Sequence, residues 1–430
     1  MRRETFRNAE PGRTSDGAAP PKPAEGGRRR GPLVRREDVG RAVGDFRRRL
    51  RDGELGSLPV VLGLVLIWII FQSLNENFLS PRNLSNLSVD IVGTGLIAVG
   101  IVFVLLIGEI DLSVGSLSGL AAALFAVLNV HRGMPEWLAV ILAVLSGTAA
   151  GAVHGFFFAK IGVPSFVVTL AGLLGWNGLM LYVLGESGTI SIDDDGLVAG
   201  LTSFYFANAA VAYGLALLGT AAFFLASYRD SRRRKAGGME SRSLSQLGFR
   251  TGVIAVVALA AAYVLNQFQG LPLALLIFLL VVVGLDYLLR RTRYGRQVFA
   301  LGGGVEAARR AGISVVAVRI SVFMVSGTMA AIGGLFLASR ITSASQTSGS
   351  GILLMNAIAA AVIGGTSLFG GRGTTWSALL GMLVIQSIAS AMALMGVPAA
   401  VQFMITGGVL LVAVVIDSLS RRSQEAHGRA

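Results

Sequence analysis

The chain has 430 residues, 53% of them hydrophobic and 14% charged, with a mean hydropathy of +0.68; a soluble domain carries about 25% charged residues, so a water-soluble fold is excluded. There is no cysteine, and the three histidines (His131, His154, His427) stand far apart, which removes disulfides, thiol chemistry and any metal-ligand spacing. The net charge of +13 lies in blocks between apolar runs, the pattern of membrane topology and not of a nucleic-acid-binding stripe.

Residues 1–57 hold 15 Lys/Arg and 9 Asp/Glu among scattered Pro and Gly. That composition buries no core, so a disordered basic cytosolic tail is expected, with anionic lipid as its natural contact. Twelve apolar runs follow, at 58–74, 89–107, 112–130, 137–158, 165–184, 203–227, 251–265, 271–289, 320–338, 353–369, 374–395 and 399–417. A helix needs about 20 such residues to cross the hydrocarbon. The run 251–265 reaches only about 23 Å at about 1.5 Å per residue, so whether it crosses fully is open. The expected fold is all-α and polytopic. Starting inside and alternating places 34 of the 37 Lys/Arg on the inner side, leaving Arg82, Arg132 and Arg340 outside with the acidic run "SIDDDG" at 191–196. Both termini are therefore expected in the cytosol, with a membrane domain over 58–417 and a short cytosolic tail over 418–430.

Between the second and third runs stands "IGEIDLSVGS" (107–116). In one reading it is a tight turn in which Asp111 caps a helix beginning at Leu112, for about 1 kcal/mol. In the other, Gly108 and Gly115 let the chain break inside the protein, and Glu109, Asp111 and Ser113 line or lock a path. The cap reading suits Asp111; Glu109 has no such local use and is expected on the path or paired with a base. The string aligns with "IGGTSLFGG" (363–371), which suggests an internal repeat. Further polar candidates on the spans are Trp176 with Asn177, Asn356, Thr366 with Ser367, and Gln386. They suit a neutral sugar, which needs hydroxyl and amide partners and an aromatic or apolar wall.

Among the inner segments, 290–319 has the most regular character. Glu306 to Ala311 favours helix, bracketed by Gly302–Gly304 and Gly312. A short helix shown to the cytosol is what a mechanical contact needs. No G-x-x-x-x-G-K-[ST] occurs, nor any catalytic constellation, so the chain is not expected to be an enzyme or to hold a cofactor or metal. Energy then comes from a partner. The alternative is a self-sufficient ion-coupled secondary carrier. Such carriers keep ionisable groups deep in their spans, whereas here only Asp90, Asp286 and Asp417 fall in the runs, all near ends.

The strings "NFLSPRNLSNL" (77–87), "GTGLIAVGIVFVLLIGEIDLSVGS" (93–116), "VPSFVVTLAGLL" (163–174), "GRQVFALGGGVEAARRAGI" (295–313) and "AAAVIGGTSLFGGRG" (359–373) carry a family resemblance. The chain resembles permease subunits of bacterial ATP-binding-cassette importers for ribose, arabinose and xylose. The extra spans over 203–265 and "LNQFQGLP" (265–272) are similar to the xylose branch. The resemblance implies a multi-pass protein of the bacterial plasma (inner) membrane. It further implies a homodimer fed by an extracytoplasmic sugar-binding protein and driven by a cytosolic ATPase. Gly302, Gly303, Glu306, Ala307, Ala308, Arg309 and Gly312 would then form the coupling loop. Two positions depart from the family pattern: Gly304 stands where Asn is usual, which removes a capping side chain, and Asn356 stands where Asp is frequent.

Overall fold

The computed structural model describes residues 58–186, 188–239 and 244–426, all within a unit that runs from Gly53 to Ala430. The expected tail, 1–57, lies outside the described residues. Each of the twelve apolar runs is a helix. In chain order these begin with α1 (Leu58–Leu74), α2 (Pro81–Leu106), α3 (Val114–Ala126, continued by a π turn to His131), α4 (Glu136–Phe156, continued by a π turn to Ile161) and α5 (Ser165–Leu184). A short α6 (Leu197–Ser203) precedes α7 (Ala209–Ala236), α8 (Leu244–Asn266) and α9 (Leu273–Arg291). Two small helices, α10 (Arg293–Gly303) and α11 (Val305–Arg310), lead into α12 (Val315–Ile341), α13 (Gly351–Ile363), α14 (Thr375–Leu394) and α15 (Ala399–Ala426). Among the described residues, nine helices are long and apolar enough to cross a membrane, and Leu58–Leu74, Gly351–Ile363 and Ala399–Val412 are shorter apolar stretches. The protein is an all-α polytopic membrane protein.

Several boundaries differ from the sequence expectation, each for a local reason. The second helix starts at Pro81, eight residues early: Ser80 Oγ accepts the Asn83 N–H, and Pro81 takes the first helical position, where a missing N–H costs nothing. The run 251–265 extends back to Leu244, giving 23 residues, about 34 Å at about 1.5 Å each and long enough to cross. The run 203–227 begins only at Ala209, where Asn208 caps α7. The run 353–369 stops at Ile363, because Gly365 adopts φ 104°, a region that favours glycine, and the apolar residues after it belong to a turn. The last helix passes the expected end at 417 and runs to Ala426.

The centre of the bundle is α2, apolar all round and buried along nearly its whole length, as such a helix must be. It is wrapped by α12, α13, α14 and α9. The tightest crossing is α4 on α12. Gly147, Gly151 and Gly155 lie one turn apart and let the α4 backbone rest on Ile320, Phe323 and Gly327 of α12. Lipid supplies no hydrophobic drive between helices, so close backbone approach at small residues supplies the attraction. A Cβ at Gly151 would press on the Phe323 carbonyl, which belongs to rigid backbone. Gly151→Val is therefore expected to reduce the yield of monodisperse protein in detergent several-fold, consistent with an overpacking cost of about 1–3 kcal/mol; size-exclusion chromatography of the solubilised protein reads it.

At the periphery α7 and α8 pack on each other around Ala212, Ala216, Ala262 and Leu265. A two-residue ladder of β2 (Tyr205–Phe206) on β3 (Leu271–Pro272) and a bidentate Asp230–Arg291 pair at 2.7–2.8 Å tie this hairpin to α9. The bundle has two distinct ends. At one, β1 (Thr189–Ser191) pairs antiparallel with β4 (Ser343–Ser345), Arg340 bonds Asp90 at 2.8 Å, and Thr202 bonds Ser339. At the other lie the turns 107–113 and 364–374 with α10 and α11.

Candidate functional site

The segment between α2 and α3 is not a surface turn. The chain leaves α2 through Gly108, at φ 77°, and then folds inward: Asp111 is 2% exposed and Ser113 wholly buried. The third helix begins at Val114, not Leu112, and Ser113 occupies its N-cap position. The expected Asp111 cap is thus not made. Instead Asp111 Oδ1 accepts the Ser113 N–H at 2.9 Å and the Ser113 hydroxyl at 2.6 Å, and Oδ2 accepts Ser326 Oγ of α12 at 2.8 Å. One carboxyl group holds three donors and fastens the turn to α12, so its bonds satisfy what burial would otherwise penalise.

The network runs on. Ser113 Oγ lies 3.3 Å from Nδ1 of His154 on α4, and the Trp176 indole Nε1–H of α5 donates to His154 Nε2 at 2.9 Å. Ser326, Asp111, Ser113, His154 and Trp176 therefore form one hydrogen-bonded chain across α12, the 107–113 turn, α4 and α5. Sequence reading missed His154 and Ser326. His154 is 3% exposed, and the only signal in the sequence was a lone polar side chain among the small residues of α4.

Glu109 sits beside this chain but outside it. Its Oε2 accepts Ser165 Oγ, at the start of α5, at 2.6 Å, and Oε1 faces Arg319 of α12 at 3.7 Å. The Arg319 guanidinium also covers the Phe158 ring, 4.4 Å from its centroid. The expected partnering of Glu109 with a base is what the geometry gives. Arg319 lies inside α12, since that helix starts at Val315 and not at 320 as expected.

Beneath the turn is a glycine junction. Gly371 N–H donates to the Leu106 carbonyl at 2.9 Å, and a Cβ at Gly370 would lie 3.0 Å from both Gly108 N and Gly302 O. The strings 107–115 and 363–371 thus meet in space. Their backbones differ, however: Gly108 is left-handed whereas the aligned Gly364 has φ −68°. The segment 290–319 is more structured than expected. Thr292 caps α10, and Tyr294, whose phenol burial pushes up from its ordinary value against the Ser321 bond, accepts Ser321 Oγ of α12 at 3.1 Å. Glu306, Ala307 and Arg309 face outward on α11, with Glu306 paired to Arg309 at 3.2 Å, while Ala308 is its buried anchor. Gly303 is exposed, and Gly312 closes the element at φ 78°.

A family model described as "Branched-chain amino acid transport system / permease component" matches residues 83–414. The chain belongs to this permease family. The permease is 36% identical over 374 residues, 87% of this chain and 94% of the relative, to the xylose transport system permease protein XylH of Escherichia coli K12. It is 32% identical to the ribose import permease protein RbsC of Bacillus subtilis, covering 85% of this chain and 94% of that one. It is 30% identical to the L-arabinose ABC transporter permease protein AraH of Azospirillum brasilense, covering 85% and 89%. No solved structure matches the permease.

The remaining candidates are dispersed. In the permease Asn177 is exposed on the outer face of α5, back to back with the inward-bonded Trp176, and Asn356 and Gln386 are half-buried on α13 and α14. Thr366 is buried in the turn after α13, and its Oγ1 has no hydrogen-bond partner. Ser367 is held in the same turn, its N–H on the Arg372 carbonyl at 2.9 Å and its Oγ accepting the Phe369 N–H at 3.3 Å. Only Asp111, Ser113 and Trp176 are gathered into one network. Among the described residues no group of His, Asp and Glu could hold a metal ion.

Proposed function

We propose that this permease is the membrane subunit of an ATP-driven importer in a bacterial plasma membrane, and that it passes a monosaccharide, D-xylose or a related pentose, into the cytosol. The observation that carries this reading is kinship, over 85–87% of the chain, with permeases named for xylose, ribose and arabinose. Sugar arrives from an extracytoplasmic binding protein, and a separate cytosolic ATPase supplies the work. The end bearing α10 and α11 is the cytosolic one. Lys160, Arg290, Arg293, Arg309 and Arg310 gather there, while Asp193, Asp194 and Asp195 lie toward the other end, in accord with the positive-inside rule. The tail 1–57 and the segment 418–430 lie on the same cytosolic side, the former within reach of anionic lipid.

Force enters at α11. Glu306, Ala307 and Arg309 form the face offered to the ATPase, anchored by Ala308 and set by Gly302, Gly303 and Gly312. A second copy of the chain completes the transporter. The outer face of α5 exposes Leu170, Leu174, Asn177 and Leu181, and an amide held against lipid is costly, so this face supports a wet path between two copies. Trp176, Asn177, Asn356, Thr366 and Ser367 are the polar and aromatic candidates along it, and Thr366 Oγ1 has no protein partner to surrender before bonding a sugar hydroxyl.

The test is uptake of radiolabelled xylose by cells carrying the permease with or without its ATPase. Uptake is expected to vanish without the ATPase. Uptake that persists and responds to proton uncouplers would instead identify an ion-coupled carrier. Within the working transporter, Glu109→Gln keeps the Ser165 bond but leaves Arg319 without its counter-charge. Uptake is expected to fall at least about tenfold, with the amount of folded protein unchanged, since a half-exposed pair contributes little to stability. Wild-type uptake in that variant would return Glu109 to a turn residue.

A further inference from the structure

The Ser326–Asp111–Ser113–His154–Trp176 chain has a direction that donor chemistry fixes. An indole N–H only donates, so His154 Nε2 accepts. Nδ1 then carries the proton and donates to Ser113 Oγ, and Ser113 donates to Asp111. Asp111 accepts from Ser326 as well, so every member has a partner. A protonated imidazole would set two N–H groups against each other at the Trp176 end; only the neutral Nδ1–H form satisfies both neighbours.

Gly172 supplies a second, independent sign that this contact is built in. It lies one turn before Trp176, and a Cβ there would occupy the space of the His154 ring, pressing on Nε2 and coming within 3.2 Å of Trp176 Nε1. The bond exists because residue 172 has no side chain. The indole is thereby held in one orientation, half-buried, with its neighbours Gly175, Asn177 and Gly178 on the uncovered face of α5. An aromatic ring held rigid beside a polar amide suits the C–H face and hydroxyl edge of a pyranose.

We propose that His154 is a positioning residue for transport: it orients Trp176 at the α5 face where sugar passes, and it ties that ring to the 107–113 turn. The turn in turn rests on α10 through the glycine junction. The inference deepens the permease reading above and rests on it for the sugar. It makes one mechanical line from the ATPase side to the ring, by way of Gly302, Gly108, Asp111, Ser113, His154 and Trp176.

The experiment uses the full chain in the complete transporter, with initial rates of xylose uptake in proteoliposomes at matched amounts of folded permease. His154→Leu, Gly172→Ala and Trp176→Phe each sever the same bond. Each is expected to lower the maximal rate about tenfold, the scale of one buried hydrogen bond, while the xylose concentration at half-maximal rate stays unchanged. His154→Gln, which retains a donor and an acceptor, is expected to recover most of the rate. The double variant His154→Leu/Trp176→Phe is expected to be no worse than either single one, because both act through one contact. In permease retaining Trp176 alone (Trp68, Trp137 and Trp376 each replaced by Phe), ultraviolet resonance Raman spectroscopy should report a bonded indole N–H, lost in His154→Leu and Gly172→Ala. Wild-type rates in both of those variants, multiplicative defects in the double variant, or an unchanged Raman band would overturn the assignment. Should wild-type transporter take up no xylose, the sugar reading fails, while the Raman comparison still decides whether His154 holds Trp176.

Discussion

Asp111→Ala is expected to give the largest loss of stability of any single substitution near the site. Its carboxyl group accepts three hydrogen bonds, from Ser113 N–H, Ser113 Oγ and Ser326 Oγ, at 2.6–2.9 Å in a region almost closed to solvent. Truncation leaves those donors without partners, and each such orphan costs about 1–3 kcal/mol when buried. Set against a total stability of about 5–15 kcal/mol, the sum is enough to lose most of the folded protein. Asp111→Asn tests the cause. Its Oδ1 can still serve both Ser113 donors, and the Ser326 hydroxyl can rotate to accept from the amide, so it is expected to keep most of the fold. Thermal midpoints in detergent, followed by fluorescence-detected size-exclusion chromatography, should order as wild type, then Asn, then Ala. An Ala variant melting with the wild type would show that the turn is held by something else. An Asn variant that folds but does not transport would give the carboxyl a task beyond architecture.

The contrast between what was legible in the sequence and what was not follows from where the information lies. The twelve helices could be read because hydrocarbon demands a long apolar run for each crossing, and that demand is local. Their ends could not, wherever a polar cap or a glycine decided the matter: Ser80 and Pro81 start α2 inside a stretch that reads as polar loop, and Gly365 stops α13 inside one that reads as membrane. Glu109 and Asp111 stood out because carboxylates are rare between two apolar runs. Their roles did not, because the partners are remote in sequence: Ser326 lies 215 residues from Asp111, and His154 lies 41 from Ser113. His154 was set aside as one of three scattered histidines, correctly for metal binding, yet a single buried imidazole needs no second histidine to organise a hydrogen-bonded chain.

Gly302→Val is expected to uncouple the permease without unfolding it. A Cβ at this position would overlap the Leu106 carbonyl and crowd Gly371 N, both backbone atoms with nowhere to go. The end of α10 must then withdraw, and the Gly371–Leu106 bond that locks the two turns together breaks. Overpacking of this kind costs about 1–3 kcal/mol, less than the stability of a bundle whose main core, α2 against α12, lies elsewhere. The expected result is a folded permease that no longer co-purifies with its ATPase and whose uptake falls by about tenfold or more. Two residues on, Gly304 provides the opposite case. It occupies the N-cap of α11 with extended backbone, φ 167°, and offers no side chain to the first turn of that helix. Gly304→Asn restores a capping acceptor there and is expected to stabilise α11 by a few tenths of a kcal/mol, with ATPase binding equal to or tighter than wild type. Equal uptake in Gly302→Val and wild type would mean that force does not pass through the glycine junction. Weaker ATPase binding in Gly304→Asn would mean that α11 must remain loosely capped to dock, and that the glycine is there for motion and not for want of a better cap.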